Sequence, residues 1–113
     1  MKKMKVSDLE ALGYTRETKK EMEDYEIKAG YTGDLLSDVM ANAPSDSILI
    51  TIQAHKNTIA VATLAGIRAI LICNKRAIPS DMIEAANDND VALFKTAETQ
   101  FEASAKVAAK MNA

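Results

Sequence analysis

Hydrophobic and polar positions are ordered most clearly between residues 48 and 73, where the pattern predicts one complete parallel β-α-β unit. Two short apolar runs, Ile48–Ile52 and Ala69–Cys73, have the composition of strands that are covered on both faces. The segment between them predicts a helix of small residues, and Gly66 supplies the left-handed residue that ends it. Ligands of open α/β sheets bind at the carboxyl ends of the strands. The polar turn after Ile52 is therefore predicted to lie at a binding edge.

The chain before this unit has weaker patterns. Val6, Leu9 and Leu12 recur at helical spacing and predict a short amphipathic helix. Residues 15–25 (TRETKKEMEDY) are dominated by charged side chains and predict a solvated loop. Apolar and polar residues then alternate over Tyr25–Tyr31, which predicts a strand at an edge of the sheet, in either direction.

A second helix is predicted over Leu35–Met40, with Thr32, Gly33 or Asp34 as its amino-terminal cap. It should end before Asn42-Ala43-Pro44, because a residue that precedes proline avoids helical geometry.

The pattern after the central unit predicts two more helices and one more strand. Pro79 begins a helix, and its inner stripe is Met82, Ile83 and Ala86. Val91–Lys95 predicts a strand, and Thr99 with Glu102 forms a possible capping box for the last helix. The inner face of that last helix is expected to consist of Phe101, Ala105 and Ala108.

The alternation of strands and helices predicts a single three-layer-like α/β domain, with a mostly parallel sheet of about four strands and flanking helices. Residues 1–24 form an amino-terminal helix and polar lead-in, and residues 25–113 form the α/β domain, within one globular unit overall. The length of 113 residues suits a single core without metal or disulfide support.

Composition narrows the function classes. The net charge is −2 and aromatic residues make up 4% of the chain, so we expect neither nucleic-acid binding through a basic surface nor base stacking. No apolar run is long enough to span a membrane or follows the first lysines as a secretory signal would. The single cysteine, Cys73, cannot form an internal disulfide and fits a cytoplasmic location.

The polar turn Gln53-Ala54-His55-Lys56-Asn57 is the first candidate site. A helix start after a buried strand offers backbone N–H groups to anions, Gln53 and Asn57 offer amides, and His55 adds an imidazole. The alternative is a capped helix start with no ligand. Catalysis by His55 is not favoured, because no recognisable nucleophile elbow accompanies it.

The loop from Gly30 to Asp34 is the second candidate, because Gly33 lets backbone approach a ligand closely and Asp34 adds a carboxylate. Alternatively, the glycines of this loop only allow the chain to turn. The loop is neither a dinucleotide fingerprint nor a phosphate loop, which argues against an autonomous kinase. Lys75 and Arg76 are expected either to contact the negative charge of a ligand or to be solvated. No metal site and no cofactor are predicted, since the chain has one histidine and one cysteine.

Three segments of the chain resemble the DRTGG domain, and above all its small stand-alone bacterial form, which is often labelled by analogy with HPr serine kinase. The segments are GYTGDLLSDVMANA, ITIQAHKNTIAVATLAGIRAILI and PSDMIEAANDNDVALFKTAETQFEAS. The resemblance covers about residues 25–107. The Asp-Arg element of the family's name motif would fall around Ala54-His55 and the Thr-Gly-Gly element around Cys73-Asn74-Lys75, and neither is present.

The resemblance implies a DRTGG-like α/β domain that is commonly a dimer. DRTGG domains also occur in CBS-domain pyrophosphatases and phosphotransacetylases, and they are similar to the amino-terminal domain of HPr kinase/phosphorylase. In these proteins the domain is regarded as regulatory or structural, with catalysis elsewhere. Stand-alone forms often accompany iron-only hydrogenase genes, which implies a role near redox metabolism.

The leading hypothesis is a non-catalytic regulatory homodimer that binds a nucleotide or phosphorylated small molecule at the carboxyl rim of the sheet. Its expected ligand-binding residues are Gly33, Asp34, Gln53, His55 and Asn57. The alternative is a pure interaction or dimerisation module that docks on a partner enzyme of metabolism or redox chemistry. A protein serine kinase is the third hypothesis, and it lacks a phosphate-binding element.

Overall fold

The elements of the fold follow the predicted alternation of strands and helices. The computed structural model describes residues 4–113, and residues 1–3, the start of the predicted lead-in, lie outside the described residues. The strands are β1 (Met4–Lys5), β2 (Thr15–Arg16), β3 (Glu26–Ile27), β4 (Ala29–Thr32), β5 (Ser47–Thr51), β6 (Ala69–Ile72) and β7 (Ala92–Lys95). The helices are α1 (Ser7–Ala11), α2 (Leu36–Asn42), α3 (Lys56–Ala65), α4 (Ser80–Asp88) and α5 (Gln100–Met111).

The main sheet has five strands in the order β2-β7-β6-β5-β4. Strands β4 to β7 run parallel and pair in the order in which they occur in the chain, whereas β2 pairs antiparallel with β7. The α/β class and the mostly parallel sheet are confirmed, and the expected strand number of about four is exceeded by one. A separate antiparallel pair joins β1 to β3.

The helices divide between the two faces of the main sheet. Helices α2, α3 and α4 cover one face through the buried side chains of Val39, Ile59, Ala62, Met82 and Ala86. Helices α1 and α5 lie on the other face and contribute Leu9, Ala103 and Val107. Every residue of β5 and β6 is consequently buried, which agrees with the uninterrupted apolar runs of these strands.

The expectation of a solvated loop over residues 15–25 is wrong at its beginning, where β2 forms an edge strand. The charge of Arg16 in β2 remains compatible with a strand, because an edge strand needs backbone partners on one side only. Arg16 lies over the ring of Phe94 and pairs with Glu10 at 3.1 Å, and Glu17 forms an ion pair with Lys95 at 3.5 Å. The many charged residues of this segment are therefore the reason that the sequence pattern predicted a loop in place of β2.

Two boundaries near the start of the sheet also differ from expectation. The single strand predicted over Tyr25–Tyr31 is divided into β3 and β4, which belong to different sheets. The cap of α2 is Leu35, and no side chain caps it. Asp34 does not cap α2, because its carboxylate accepts hydrogen bonds from β5 and the residue after it.

The inner face of α5 was predicted wrongly. Ala103 and Val107 are buried, whereas Ala105 and Ala108 are exposed and Phe101 is 84% exposed. The last helix is rich in alanine, so both sets of residues satisfy helical spacing and periodicity alone cannot choose between them. Its capping box is present as predicted, with Thr99 and Glu102 each accepting a backbone hydrogen bond from the other.

The end of α3 is confirmed at Gly66, whose φ of 75° is left-handed. Replacing Gly66 by alanine should lower the free energy of unfolding by about 1–2 kcal/mol, because a side chain is strained in this conformation. The added Cβ would also lie 3.1 Å from the Cβ of Ser45. Urea denaturation of Gly66→Ala measures the loss.

Gly30→Ala is the matched control. Gly30 has no positive φ, and an added Cβ would meet Ile48 at an ordinary 3.6 Å. Its stability should stay unchanged or rise by up to about 1 kcal/mol. Equal losses in the two variants would contradict the conformational explanation.

Candidate functional site at the carboxyl rim

The segments that follow β4, β5, β6 and β7 form the carboxyl rim of the sheet, namely residues 33–35, 52–55, 73–79 and 96–99. The parallel register aligns the four strand ends, as in the pairs Thr32 with Ile50 and Leu71 with Phe94. The rim brings the two predicted loops together. The side-chain Nε2 of Gln53 donates a hydrogen bond to the main-chain oxygen of Asp34 at 2.7 Å.

Asp34 connects three elements through one carboxylate oxygen. Its Oδ1 accepts hydrogen bonds from the Thr51 hydroxyl at 2.9 Å, the Ile52 N–H at 3.0 Å and Gln100 Nε2 at 3.0 Å. These contacts join the end of β4 to the end of β5 and the first residue of α5. Asp34 thus stabilises the rim in addition to any role toward a ligand.

Gly33 continues the ladder of the sheet, since its N–H donates to the Ile50 carbonyl at 3.2 Å. A Cβ at this position would meet Tyr31 at 3.5 Å, which is an ordinary contact. Crowding therefore does not explain the glycine.

His55 and Asn57 are exposed at the start of α3. The His55 Nδ1 accepts a hydrogen bond from the Asn57 N–H at 3.0 Å and so caps the helix. In this arrangement the neutral ring carries its proton on Nε2, for which the described residues offer no acceptor. His55 therefore caps the helix, as the alternative interpretation of a capped helix start expects. Its Nε2–H donor remains directed outward.

Two carboxylates of the rim act on the thiol of Cys73, which follows β6. The thiol of Cys73 is fully buried, and burial together with the carboxylates of Glu98 and Asp34 raises its pKa to about 11. Glu98 accepts a hydrogen bond from Tyr14 at 2.7 Å and pairs with Lys106 at 3.3 Å. The thiol is therefore protonated at neutral pH and is a core group, as its place at the end of an apolar run indicated.

The rim also contains a concavity that sequence reasoning missed. It has a volume of about 480 Å³ and lies over the ends of β6 and β7 beside β2. We call it the β6–β7 crevice; it is lined by residues 75–78, residues 95–97, Thr15 and Glu17. The signal available in the sequence was the pair Lys75-Arg76 shortly after a buried strand. Whether this pair lies at an open crevice depends on which face of the sheet each following helix covers.

A separate groove of about 440 Å³ lies between α3 and α4, and Asn57 lines it together with Lys56.

Among residues 4–113, no group of His, Cys, Asp or Glu side chains has the arrangement of a metal site. None of the helices in this described range has the length and apolar character needed to cross a membrane.

Comparison with known proteins identifies the fold. No family model and no curated protein matches the chain. The structure is similar to the crystal structure of the CBS and DRTGG domains of the regulatory region of a Clostridium perfringens pyrophosphatase, complexed with its activator, diadenosine tetraphosphate. The TM-score is 0.69 at 16% identity, and the similarity covers 88% of this chain but 43% of the other. The fold is DRTGG-like, as the sequence resemblance predicted.

Replacing Asp34 by alanine should lower the free energy of unfolding by about 2 kcal/mol or more, because three partly buried donors lose their acceptor. Denaturant unfolding measures this loss. Glu84→Ala removes a carboxylate from an exposed position of α4 and serves as the control. A D34A variant as stable as E84A would contradict the role assigned to Asp34.

Proposed function

We propose that this chain is a non-catalytic regulatory module that senses a small anionic metabolite or a nucleotide at its carboxyl rim. The observation that carries the proposal is the junction of the two predicted loops, made by the 2.7 Å hydrogen bond from Gln53 to Asp34. The junction leaves His55 and Asn57 exposed beside it, where an outward imidazole donor and the amino end of α3 favour an anion.

The similarity of fold supports the same class of function. The Clostridium perfringens structure belongs to a regulatory region and contains a nucleotide activator. Nucleotides are accordingly the first ligands to test for this chain. The proposed ligand-binding residues remain Gly33, Asp34, Gln53, His55 and Asn57, with Gly33, Asp34 and Gln53 shaping the rim and His55 and Asn57 contacting the ligand.

Two observations favour regulation over catalysis. The shared fold is that of a regulatory region. The cysteine of the rim is buried and has a pKa near 11, which is unsuited to a nucleophile at neutral pH. A cytoplasmic location is part of the proposal and rests on the single unpaired cysteine.

The ligand is tested by thermal denaturation with nucleotides, acetyl phosphate and non-phosphate anions at matched ionic strength. A ligand at 100 times its dissociation constant should stabilise the protein by about 2.7 kcal/mol. The His55→Asn variant removes the imidazole but retains a good helix cap. It should keep the stability of the wild type and lose most of the ligand-induced shift.

His55→Ala is the companion variant, which should lose both the cap and the shift. If no anion stabilises the wild-type protein, the ligand-sensing proposal is wrong. If His55→Asn responds to the ligand like the wild type, His55 does not contact it.

We further propose that the protein is a homodimer that associates at its β4 edge. Strand β4 is the outermost strand of the main sheet, and an uncovered edge readily pairs with another chain. Leu35 and Phe101 directly follow the hydrogen-bonded pair Asp34 and Gln100, and they are 67% and 84% exposed. Large exposed apolar side chains beside a free edge are typical of an interface.

Phe101→Ser should raise the dimer dissociation constant at least about tenfold, because aromatic side chains frequently carry interface energy. Sedimentation equilibrium measures the effect, and the fold should be retained since Phe101 makes little contact within the chain. Leu64→Ser, at a 75% exposed position of α3, is the control and should leave the dimer intact. A monomeric wild type, or dissociation by L64S alone, would contradict this interface and favour docking on a partner enzyme.

A further inference from the structure

The β6–β7 crevice exists because the chain leaves two neighbouring strands toward opposite faces. After β6 it passes to α4 on the face that α2 and α3 also cover. After β7 it passes to α5, which packs on β4 and β5 on the other face. Divergence of adjacent loops opens a crevice in α/β sheets at the point where ligands bind.

The same divergence does not occur between β4 and β5 or between β5 and β6. Their following helices, α2, α3 and α4, share one face. This agrees with the filling of the β4–β5 end by mutual hydrogen bonds of Asp34, Thr51 and Gln53. The open space of the rim is therefore displaced toward β7.

Positive charge distinguishes the β6–β7 crevice from the rest of the rim. Lys75, Arg76 and Lys95 line it, and the only carboxylate in its wall, Glu17, already pairs with Lys95 at 3.5 Å. The exposed side chains of Lys75 and Arg76 find no hydrogen-bond or ion-pair partner within residues 4–113. The crevice thus has a local cationic excess in a chain whose net charge is −2.

The backbone fixes these cations at the crevice. Asn74 and Lys75 are consecutive left-handed residues, with φ of 62° and 55°, although neither is a glycine. Their N–H groups donate to the carbonyls of Glu98 and Thr96 at 2.9 and 3.0 Å, which ties the loop after β6 to the loop after β7. A left-handed lysine costs roughly 1–2 kcal/mol relative to its preferred conformation.

We propose that the β6–β7 crevice binds the phosphate group of a small molecule through Lys75 and Arg76. The guanidinium of Arg76 matches two phosphate oxygens, and Lys75 adds a point charge. The Thr96 hydroxyl accepts a hydrogen bond from the Glu98 N–H at 3.1 Å and keeps its own hydrogen for a ligand oxygen. The volume of about 480 Å³ fits a metabolite and not a macromolecule, and Ile78 adds an apolar wall.

This inference rests on the proposed function. It assigns the phosphate group of the ligand to a part of the rim outside the five ligand-binding residues named there. It is tested by calorimetric titration with pyrophosphate and with ATP at constant ionic strength. Lys75→Gly and Arg76→Gln should each weaken binding about tenfold or more, since each removes a charge-assisted contact. Lys75→Gly also relieves the left-handed backbone, so its loss of binding should accompany unchanged or increased thermal stability.

Lys19→Gln is the control for overall charge. Its backbone contacts Asn87 near the end of α4, at the amino ends of the strands and away from the carboxyl rim, and it should bind pyrophosphate like the wild type. An equal loss in K19Q, or wild-type affinity in both K75G and R76Q, would overturn the crevice assignment. If His55→Asn abolishes binding while K75G and R76Q retain it, the crevice assignment fails and the proposed function stands. Binding of non-phosphate anions alone likewise overturns only the crevice assignment.

Discussion

The central constraint on this structure is that a short parallel sheet must be covered on both faces. Right-handed crossovers place α2, α3 and α4 on the same face as the strands are added in order from β4 to β7. The second face must then be covered by elements from outside these crossovers. Helix α5 supplies most of that cover, together with α1. The chain can reach this position only by crossing the carboxyl rim after β7.

That crossing divides the rim into two chemically different parts. On the β4–β5 side, Asp34 holds the first residue of α5 in place, and polar groups bind one another. At the end of β6, burial and the carboxylates of Glu98 and Asp34 raise the pKa of the Cys73 thiol. On the β6–β7 side the loops separate, and Lys75 and Arg76 lie at an open crevice. We propose that an anion binds at the open part, which provides the charge, and that the closed part provides rigidity.

Much of the fold could be predicted because long apolar runs and clear end signals determine it locally. The runs of β5 and β6, the left-handed Gly66 and the capping box at Thr99 are set by nearby residues. Strand β2 and the buried face of α5 could not be predicted, because they depend on distant partners such as Lys95. The juxtaposition of the loops at Asp34 and Gln53 required β4 to run parallel to β5, a direction that the sequence left open and that the structure shows. The crevice could not be predicted, because its existence depends on which face of the sheet α5 covers. No local sequence pattern determines that face.

The most direct test of this account is a nuclear magnetic resonance titration of the ¹⁵N-labelled protein with ATP. We expect amide shifts to concentrate in residues 75–78 and 95–97 and to extend along the rim toward His55. Asn87, which precedes β7 at the amino ends of the strands, should remain unperturbed. Shifts confined to the amino ends of the strands, or no shifts at saturating ATP, would contradict a ligand-sensing rim.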